Sequence, residues 1–231
     1  FMESVAHPEG KYGNYYIWRD TGSADTPPNN WRSFFSGPAW RYFPERKAWA
    51  MHLFTSKQMD LNWENPDVRA DVVDIIRFWR EKGADGFRLD AISDISKTSL
   101  ADGDETLGKL LGVTGIEHFF YGNRLNEYLH EMRVKGFGDA YTVGETPGTG
   151  PTMNKLLTAA EREELSTVFC FDHIDTVGKN RFDDYRYDLN HLKRCFIGYE
   201  GTDAEICWPT IFVDNHDNPR MIGKVDPRPA Y

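Results

Sequence analysis

The chain has 231 residues, enough for one large domain or two smaller ones, with 40% hydrophobic and 27% charged residues. Its net charge of −9 argues against a nucleic acid partner, because a phosphate-binding surface requires clustered lysine and arginine. The odd number of cysteines (Cys170, Cys195 and Cys207) fits no zinc spacing and favours a reducing compartment. No apolar run has the length of a membrane span, so we expect no membrane partner and a cytoplasmic location.

Residues 1–60 are rich in Pro, Asn, Gly, Trp and Tyr and show no sustained helical or strand periodicity. This composition predicts a loop-rich subdomain with short strands, one of them within residues 47–54. A helix is then predicted from Pro66, with Asn65 as its N-cap and Gly83 as its C-terminal stop. The apolar residues that recur there at helical spacing are Val68, Val72, Ile75, Ile76 and Trp79.

Strands and helices alternate in the rest of the chain. The predicted strands are 86–92, 140–145, 167–173 and 209–217, and the predicted helices are 116–133, about 158–165, and 188–199. Such alternation implies parallel strands joined by helical crossovers. The polar residues at or near the strand ends are Asp90, Glu145, Asp172, His173, His216 and Asp217. In a (β/α)8 barrel this end of the strands is the active-site face, and no glycine-rich phosphate loop favours a Rossmann-like sheet instead.

Three acidic residues, Asp90, Glu145 and Asp217, follow three separate predicted strands, so a parallel sheet would bring them to one edge. Two carboxyl groups that face one bond are what glycoside hydrolysis requires. Arg88 lies two residues before Asp90, on the same face of its strand, where it would hold that carboxylate in place. His216 could donate a hydrogen bond to a sugar hydroxyl. Acidic residues after strands also serve as caps or solvate loops, and the residues alone leave that alternative open.

Three sequence blocks, "GFRLDAIS", "TVGETPG" and "FVDNHDNPR", resemble those of the α-amylase superfamily of glycoside hydrolases. Further blocks are similar, more narrowly, to its oligo-1,6-glucosidase and α-glucosidase branch: "YYIWRD", "PPNNW", "SGPAWRY", "HLFTSKQMDLNWENPDVR" and "GFRLDAISDISK". The resemblance covers nearly the whole chain, and the blocks occur in the order of the family. It implies that Asp90 is the catalytic nucleophile, Glu145 the general acid/base and Asp217 the carboxylate that stabilises the transition state.

The resemblance also implies three substrate-binding residues, Arg88, His216 and Arg220. Ala91, directly after the implied nucleophile, stands where enzymes of this branch vary with their linkage specificity. Two positions depart from the family pattern, since Met59 replaces a usual proline and Asn218 a common glutamine. No organic cofactor is implied, and no metal site is assigned to these residues.

The implied fold class is α/β, a partial (β/α)8 TIM barrel that holds about strands four to seven. Residues 61–231 would form this part of the barrel, and residues 1–60 the subdomain inserted after strand three. The family's first block, its other strands and its C-terminal β-domain have no counterpart in these residues. On this basis we expect residues 1–231 alone to be poorly soluble and inactive.

The implied function is that of a retaining, exo-acting α-glucosidase on short α-glucosides of the maltose and isomaltose type. Trehalose-6-phosphate hydrolase and sucrose-active transglucosylases of the same family are alternatives. Sucrose isomerases usually carry an "RLDRD"-like stretch after strand six, where this chain has "FDHIDTVGKNRFDD". From another class, the non-catalytic barrel of amino-acid transporter heavy chains is similar, but it lacks the intact carboxylate set that Asp90, Glu145 and Asp217 form here.

Overall fold

The computed structural model describes residues 1–148, 150–175, 178–179, 181–201 and 207–225. Within these ranges the α-helices are α1 (Met2–Ala6), α2 (Pro66–Glu81), α3 (Glu105–Leu111), α4 (Ile116–Phe119), α5 (Leu125–Met132), α6 (Pro151–Thr158), α7 (Leu189–Tyr199) and α8 (Ile222–Val225). The strands are β1 (Trp18–Arg19), β2 (Trp40–Phe43), β3 (Ala48–Met51), β4 (Gly86–Leu89), β5 (Tyr141–Glu145), β6 (Thr167–Phe169) and β7 (Pro209–Thr210).

The chain packs into two compact units. The first comprises Phe1–Phe78 and Ser93–Tyr128, and the second comprises Trp79–Ile92 and Leu129–Tyr231. These limits reflect packing alone, so the division into an inserted subdomain at 1–60 and a barrel part at 61–231 stays a prediction. None of the helices in the described ranges is long and apolar enough to cross a membrane.

The first unit is built around a small antiparallel sheet of order β1-β3-β2, in which Trp40 pairs with Met51. All four residues of β3 are buried, which explains why the segment lacks the polar alternation of a half-exposed strand. The core on this sheet is unusually aromatic: its buried members are Trp31, Ala39, Trp40, Trp49, Met51, Leu53, Val113 and Phe119. The indole N–H of Trp31 donates to the Ala101 carbonyl (2.8 Å), so this buried ring has its polar atom paired.

Helix α2 begins and ends as its sequence predicts. The side-chain Oδ1 of Asn65 accepts from the Asp67 N–H (2.9 Å), and Gly83 takes a φ of 96°, which a residue with a side chain adopts only with strain. Its buried residues are Val68, Val73 and Ile76. The predicted apolar stripe is therefore displaced: Ile75 and Trp79 are 58% and 53% exposed.

The predicted helix 116–133 is wrong in its continuity. The structure divides it into α4 and α5, separated by a turn in which Tyr121 has a φ of 54°. Gly122 lies so close to Ser96 that a Cβ on the glycine would be 2.1 Å from the Ser96 carbonyl oxygen. This close approach forces the turn, whereas the apolar stripe that predicts the helix continues through it.

The second unit contains a parallel sheet of order β4-β5-β6-β7, the same as the order of the strands along the chain. Arg88 pairs with Val143, and Glu145 pairs with Phe169. Val168 of β6 is fully buried. The parallel pairing and the intervening helices agree with the predicted α/β class.

One predicted helix and three predicted strands of this unit have different bounds in the structure. The helix predicted at about 158–165 lies earlier, since α6 starts with Pro151 in its first turn and ends at Thr158. The backbone is extended at Ala159, and a short 3-10 turn (Ala160–Arg162) follows. Strands β4, β6 and β7 also end earlier than predicted, at Leu89, Phe169 and Thr210, and the residues that follow them form turns and loops. Thr176, Val177 and Asn180 of the stretch compared with sucrose isomerases lie outside the described residues.

Candidate active site

The carboxyl ends of β4 and β5 bring Arg88, Asp90 and Glu145 together. One terminal nitrogen of the Arg88 guanidinium contacts Oδ1 of Asp90, and the other lies 2.9 Å from Oε2 of Glu145. Arg88 lies on β4, Asp90 is the first residue after this strand, and the parallel register places Glu145 at the end of the neighbouring strand. A planar guanidinium has separate donors for two carboxylates, so Arg88 forms a bridge between the two acids.

The second contact to Glu145 comes from the backbone. The N–H of Ala91 donates to the same Oε2 atom over 3.1 Å. Ala91 has a φ of 43°, in the left-handed region that residues other than glycine rarely occupy. This conformation follows β4 directly and turns the Ala91 N–H toward the end of β5. Residue patterns do not reveal such a turn, so the predicted role of Ala91 in specificity gave no sign of this bond.

A cavity of about 220 Å³ lies next to this cluster. Its lining contains Arg88, Glu145, Phe169, Phe171, Phe212, Asp214, Asn215 and His216. The three phenylalanine rings pack edge to face, with ring centroids of Phe171 and Phe212 5.1 Å apart. The cavity thus has a charged wall and an apolar wall, a combination suited to a small ligand with both polar edges and apolar faces.

The aromatic wall of the cavity is not among the features predicted from the sequence. Phe169 and Phe171 are two residues apart, so the strand period of two places them on one face, and that spacing was the available signal. Phe212 follows β7 in the block that carries His216. Its ring contacts the rings of Phe169 and Phe171.

The loop after β7 holds the other predicted site residues. His216 lines the cavity, and its Nε2 atom lies 3.2 Å from Oδ2 of Asp217. The side chain of Asp217 is 47% exposed, and that of Arg220, near Asp214, is 80% exposed. The structure therefore brings Arg88, Asp90, Glu145 and His216 to one place, and it sets Asp217 and Arg220 on the adjoining loop.

The polar residues after β6 have a different environment. His173 is fully buried, and its Nε2–H donates to the Phe212 carbonyl. Burial lowers the pKa of His173 and raises that of the neighbouring Asp172. The neutral His173 side chain thus links the segment after β6 to the segment after β7 through this hydrogen bond.

No group of three or more His, Cys, Asp or Glu side chains suited to a metal ion occurs in the described part of the chain. The described polar groups around the cavity are carboxylates, one guanidinium, one imidazole and an amide. These groups suit proton transfer and nucleophilic attack by a carboxylate.

Comparison with known proteins identifies the family. The model of the alpha-amylase catalytic domain matches residues 1–229, and the chain therefore belongs to the alpha-amylase family. The parallel sheet of the second unit is accordingly part of a (β/α)8 barrel, as predicted, and the family assignment made from the sequence blocks is confirmed.

Three individual relatives show which members of the family this chain is similar to. The oligo-1,6-glucosidase of Parageobacillus thermoglucosidasius is 40% identical over 229 residues, which cover 97% of this chain and 40% of the relative. The crystal structure of trehalose-6-phosphate hydrolase from Bacillus licheniformis superposes with a TM-score of 0.88 at 35% identity, covering 97% of this chain and 40% of that one. The trehalulose synthase of Pseudomonas mesoacidophila MX-45 superposes with a TM-score of 0.85 at 33% identity, covering 99% and 41%. This chain spans about 40% of the length of the curated relatives it matches.

Proposed function

We propose that this chain carries the catalytic carboxylates of a retaining, exo-acting α-glucosidase that hydrolyses short α-glucosides of the maltose and isomaltose type. The observation that carries the proposal is the bridge from Arg88 to both Asp90 and Glu145. Two carboxylates on one guanidinium favour a short separation. Retaining glycosidases place theirs about 5–5.5 Å apart, whereas inverting enzymes leave roughly 6.5–9.5 Å for a water molecule.

In the proposed mechanism Asp90 attacks the anomeric carbon while Glu145 protonates the glycosidic oxygen that leaves. This forms a covalent glucosyl-enzyme, and Glu145, now ionised, removes a proton from the water that releases glucose. Arg88 offsets negative charge on both carboxylates and keeps them oriented. His216 donates to a sugar hydroxyl, Arg220 contributes to substrate binding, and Asp217 stabilises the oxocarbenium-like transition state. No organic cofactor takes part in these steps.

Two related activities are the alternatives. Trehalose-6-phosphate hydrolysis is favoured by the TM-score of 0.88 to the Bacillus licheniformis enzyme of that name. Transfer of glucose from sucrose is favoured by the similarity to the trehalulose synthase. Both use an α-glucosyl donor and the same carboxylate chemistry, so they differ from the first proposal in the acceptor and aglycone.

Four substrates compared side by side test the proposal. We expect the protein expressed from its complete gene to hydrolyse maltose or isomaltose faster than sucrose or trehalose 6-phosphate. Proton NMR of the first product should show α-glucose, which later mutarotates. Initial release of β-glucose would exclude a retaining mechanism, and turnover of trehalose 6-phosphate alone would favour the first alternative.

The proposed partner is therefore a small oligosaccharide, and the proposed location is the cytoplasm. Cys170, Cys195 and Cys207 are free thiols in the structure, which agrees with a reducing compartment. Burial raises the pKa of the Cys170 thiol to about 12, so this thiol stays protonated and unreactive at neutral pH.

A further inference from the structure

We propose that Asp214 is a positioning residue that holds the loop of residues 214–221 in place. This inference rests on the proposed function, because the loop carries His216, Asp217 and Arg220. It assigns to Asp214 a task distinct from theirs, since Asp214 would act through the loop and not through the reacting atoms.

The two oxygens of Asp214 contact the far end of the loop. Oδ1 accepts from the N–H of Met221 over 2.6 Å, and Oδ2 lies 3.4 Å from a terminal nitrogen of Arg220. The first contact is short, as expected for a charged acceptor, and the second is long and weak. These two contacts join the first residue of the loop, Asp214, to its last two residues, Arg220 and Met221.

The position of Asp214 differs from that of a surface cap. Its side chain is 27% exposed and lines the cavity that Arg88, Glu145 and His216 also line. The side chain of Asn215 supports the middle of the loop, where its Oδ1 accepts from the Asp217 N–H over 2.9 Å. The residues that would meet the substrate thus lie between the two ends that Asp214 joins.

Substitutions separate the two contacts. Asp214→Asn keeps an oxygen that can accept from Met221 but removes the charge that faces Arg220. Asp214→Ala removes both, so the loop loses the bond that closes it. If Asp214 instead bound the substrate directly, both variants would raise KM and leave kcat intact.

The test is steady-state kinetics on the protein expressed from its complete gene, with p-nitrophenyl α-glucoside as substrate. For Asp214→Asn we expect KM to rise about two- to fivefold, the range of an exposed ion pair, with kcat nearly unchanged. For Asp214→Ala we expect kcat to fall about tenfold or more, because Asp217 loses its position. Asp184→Asn, a matched change at an exposed aspartate, should leave both constants as they are.

Four outcomes decide the matter. A larger loss of kcat in Asp214→Ala than in Asp214→Asn, with the melting temperature of both close to that of the unsubstituted protein, supports the proposal. KM increases in both variants with intact kcat overturn it and assign Asp214 to substrate binding. Unchanged constants in both variants also overturn it. If the unsubstituted protein cleaves no α-glucoside, the proposed function fails, and this inference fails with it.

Discussion

The backbone N–H of Ala91 donates to the carboxylate of Glu145 across the ends of two adjacent strands, at 3.1 Å. The residue next to one proposed catalytic acid therefore orients the other. Ala91 has a left-handed φ of 43°, which directs its N–H to Glu145. The backbone and the side chain of Ala91 are therefore expected to have different roles. The backbone positions Glu145, and the methyl group is expected to face the aglycone.

Replacement of Ala91 by valine tests the linkage preference. A β-branched side chain would narrow the space beside the nucleophile and disfavour the bulkier geometry of an α-1,4 link. We expect the unsubstituted enzyme to prefer maltose, and Ala91→Val to shift the ratio of kcat/KM values toward isomaltose by about tenfold or more. Valine is strained at positive φ, which lowers both rates, so the ratio and not either rate is the measurement. A ratio that stays constant would contradict a role for the side chain.

Arg88→Lys tests the bridge between the carboxylates. Lysine keeps the positive charge, but its single ammonium lacks the planar pair of donors that contacts Asp90 and Glu145 together. We expect kcat for p-nitrophenyl α-glucoside to fall by about two orders of magnitude, with little change in melting temperature. Arg77→Lys, in an exposed pair with Asp74, is the matched control and should keep its activity.

Glu145→Gln and Asp90→Asn distinguish the two proposed roles. p-Nitrophenolate leaves without protonation, so Glu145→Gln should still form the glucosyl-enzyme but release glucose slowly. Stopped-flow absorbance should then show a burst of one equivalent of p-nitrophenolate, followed by turnover reduced about a thousandfold or more. Asp90→Asn should show no burst. The opposite pattern would exchange the two assignments.

Two glycines in the first unit allow backbone strain and steric clash to be compared in one stability experiment. Gly112 and Gly115 both have a positive φ, 88° and 92°. A Cβ at Gly115 would lie 2.4 Å from the ring of Trp31, whereas at Gly112 it would meet nothing within 4 Å. We expect Gly112→Ala to cost about 1 kcal/mol of unfolding free energy, and Gly115→Ala to cost about 1–3 kcal/mol more. Urea unfolding measures both, and equal costs would show that the Trp31 ring moves aside.

The stability of the second unit should depend on His173 below neutral pH. Its pKa is lowered from 6.5, first by burial, so the unfolded chain binds a proton at a higher pH than the folded one does. Stability is therefore lost as the pH falls below about 6.5 toward the folded pKa. Asp172 and Asp175, whose pKa values burial raises, oppose this at lower pH, because the folded state then retains their protons.

The measurement for His173 is thermal unfolding between pH 7.5 and 5.5. The melting temperature of the unsubstituted protein should fall more steeply than that of His173→Gln, whose amide can still donate toward the Phe212 carbonyl. His7→Gln, at an exposed position, serves as the control and should follow the unsubstituted protein. Parallel curves for all three would exclude the buried imidazole as the cause.

The sequence predicts best those features that local chemistry determines. Asn65 and Gly83 delimit α2 because their own side-chain and backbone preferences act there. The break between α4 and α5 was missed, because it depends on Ser96, which approaches Gly122 from a distant part of the chain. Likewise, the strand ends predicted that Asp90 and Glu145 would lie at one edge of the sheet, but not that Arg88 would contact both carboxylates or that the Ala91 N–H would donate to Glu145. Such contacts depend on tertiary geometry, which periodicity does not encode.

The strand order β4-β5-β6-β7 has a consequence for biosynthesis. Each strand that leaves the ribosome can pair with the one made just before it, so the sheet can extend in one direction without waiting for distant segments. The proposed site is then assembled in the same sequence, with Arg88 and Asp90 first, Glu145 next and the loop of Asp217 last. Until Glu145 is made, one terminal nitrogen of the Arg88 guanidinium has no carboxylate partner from β5. A nascent chain stalled between these strands would therefore hold the proposed nucleophile without the proposed acid.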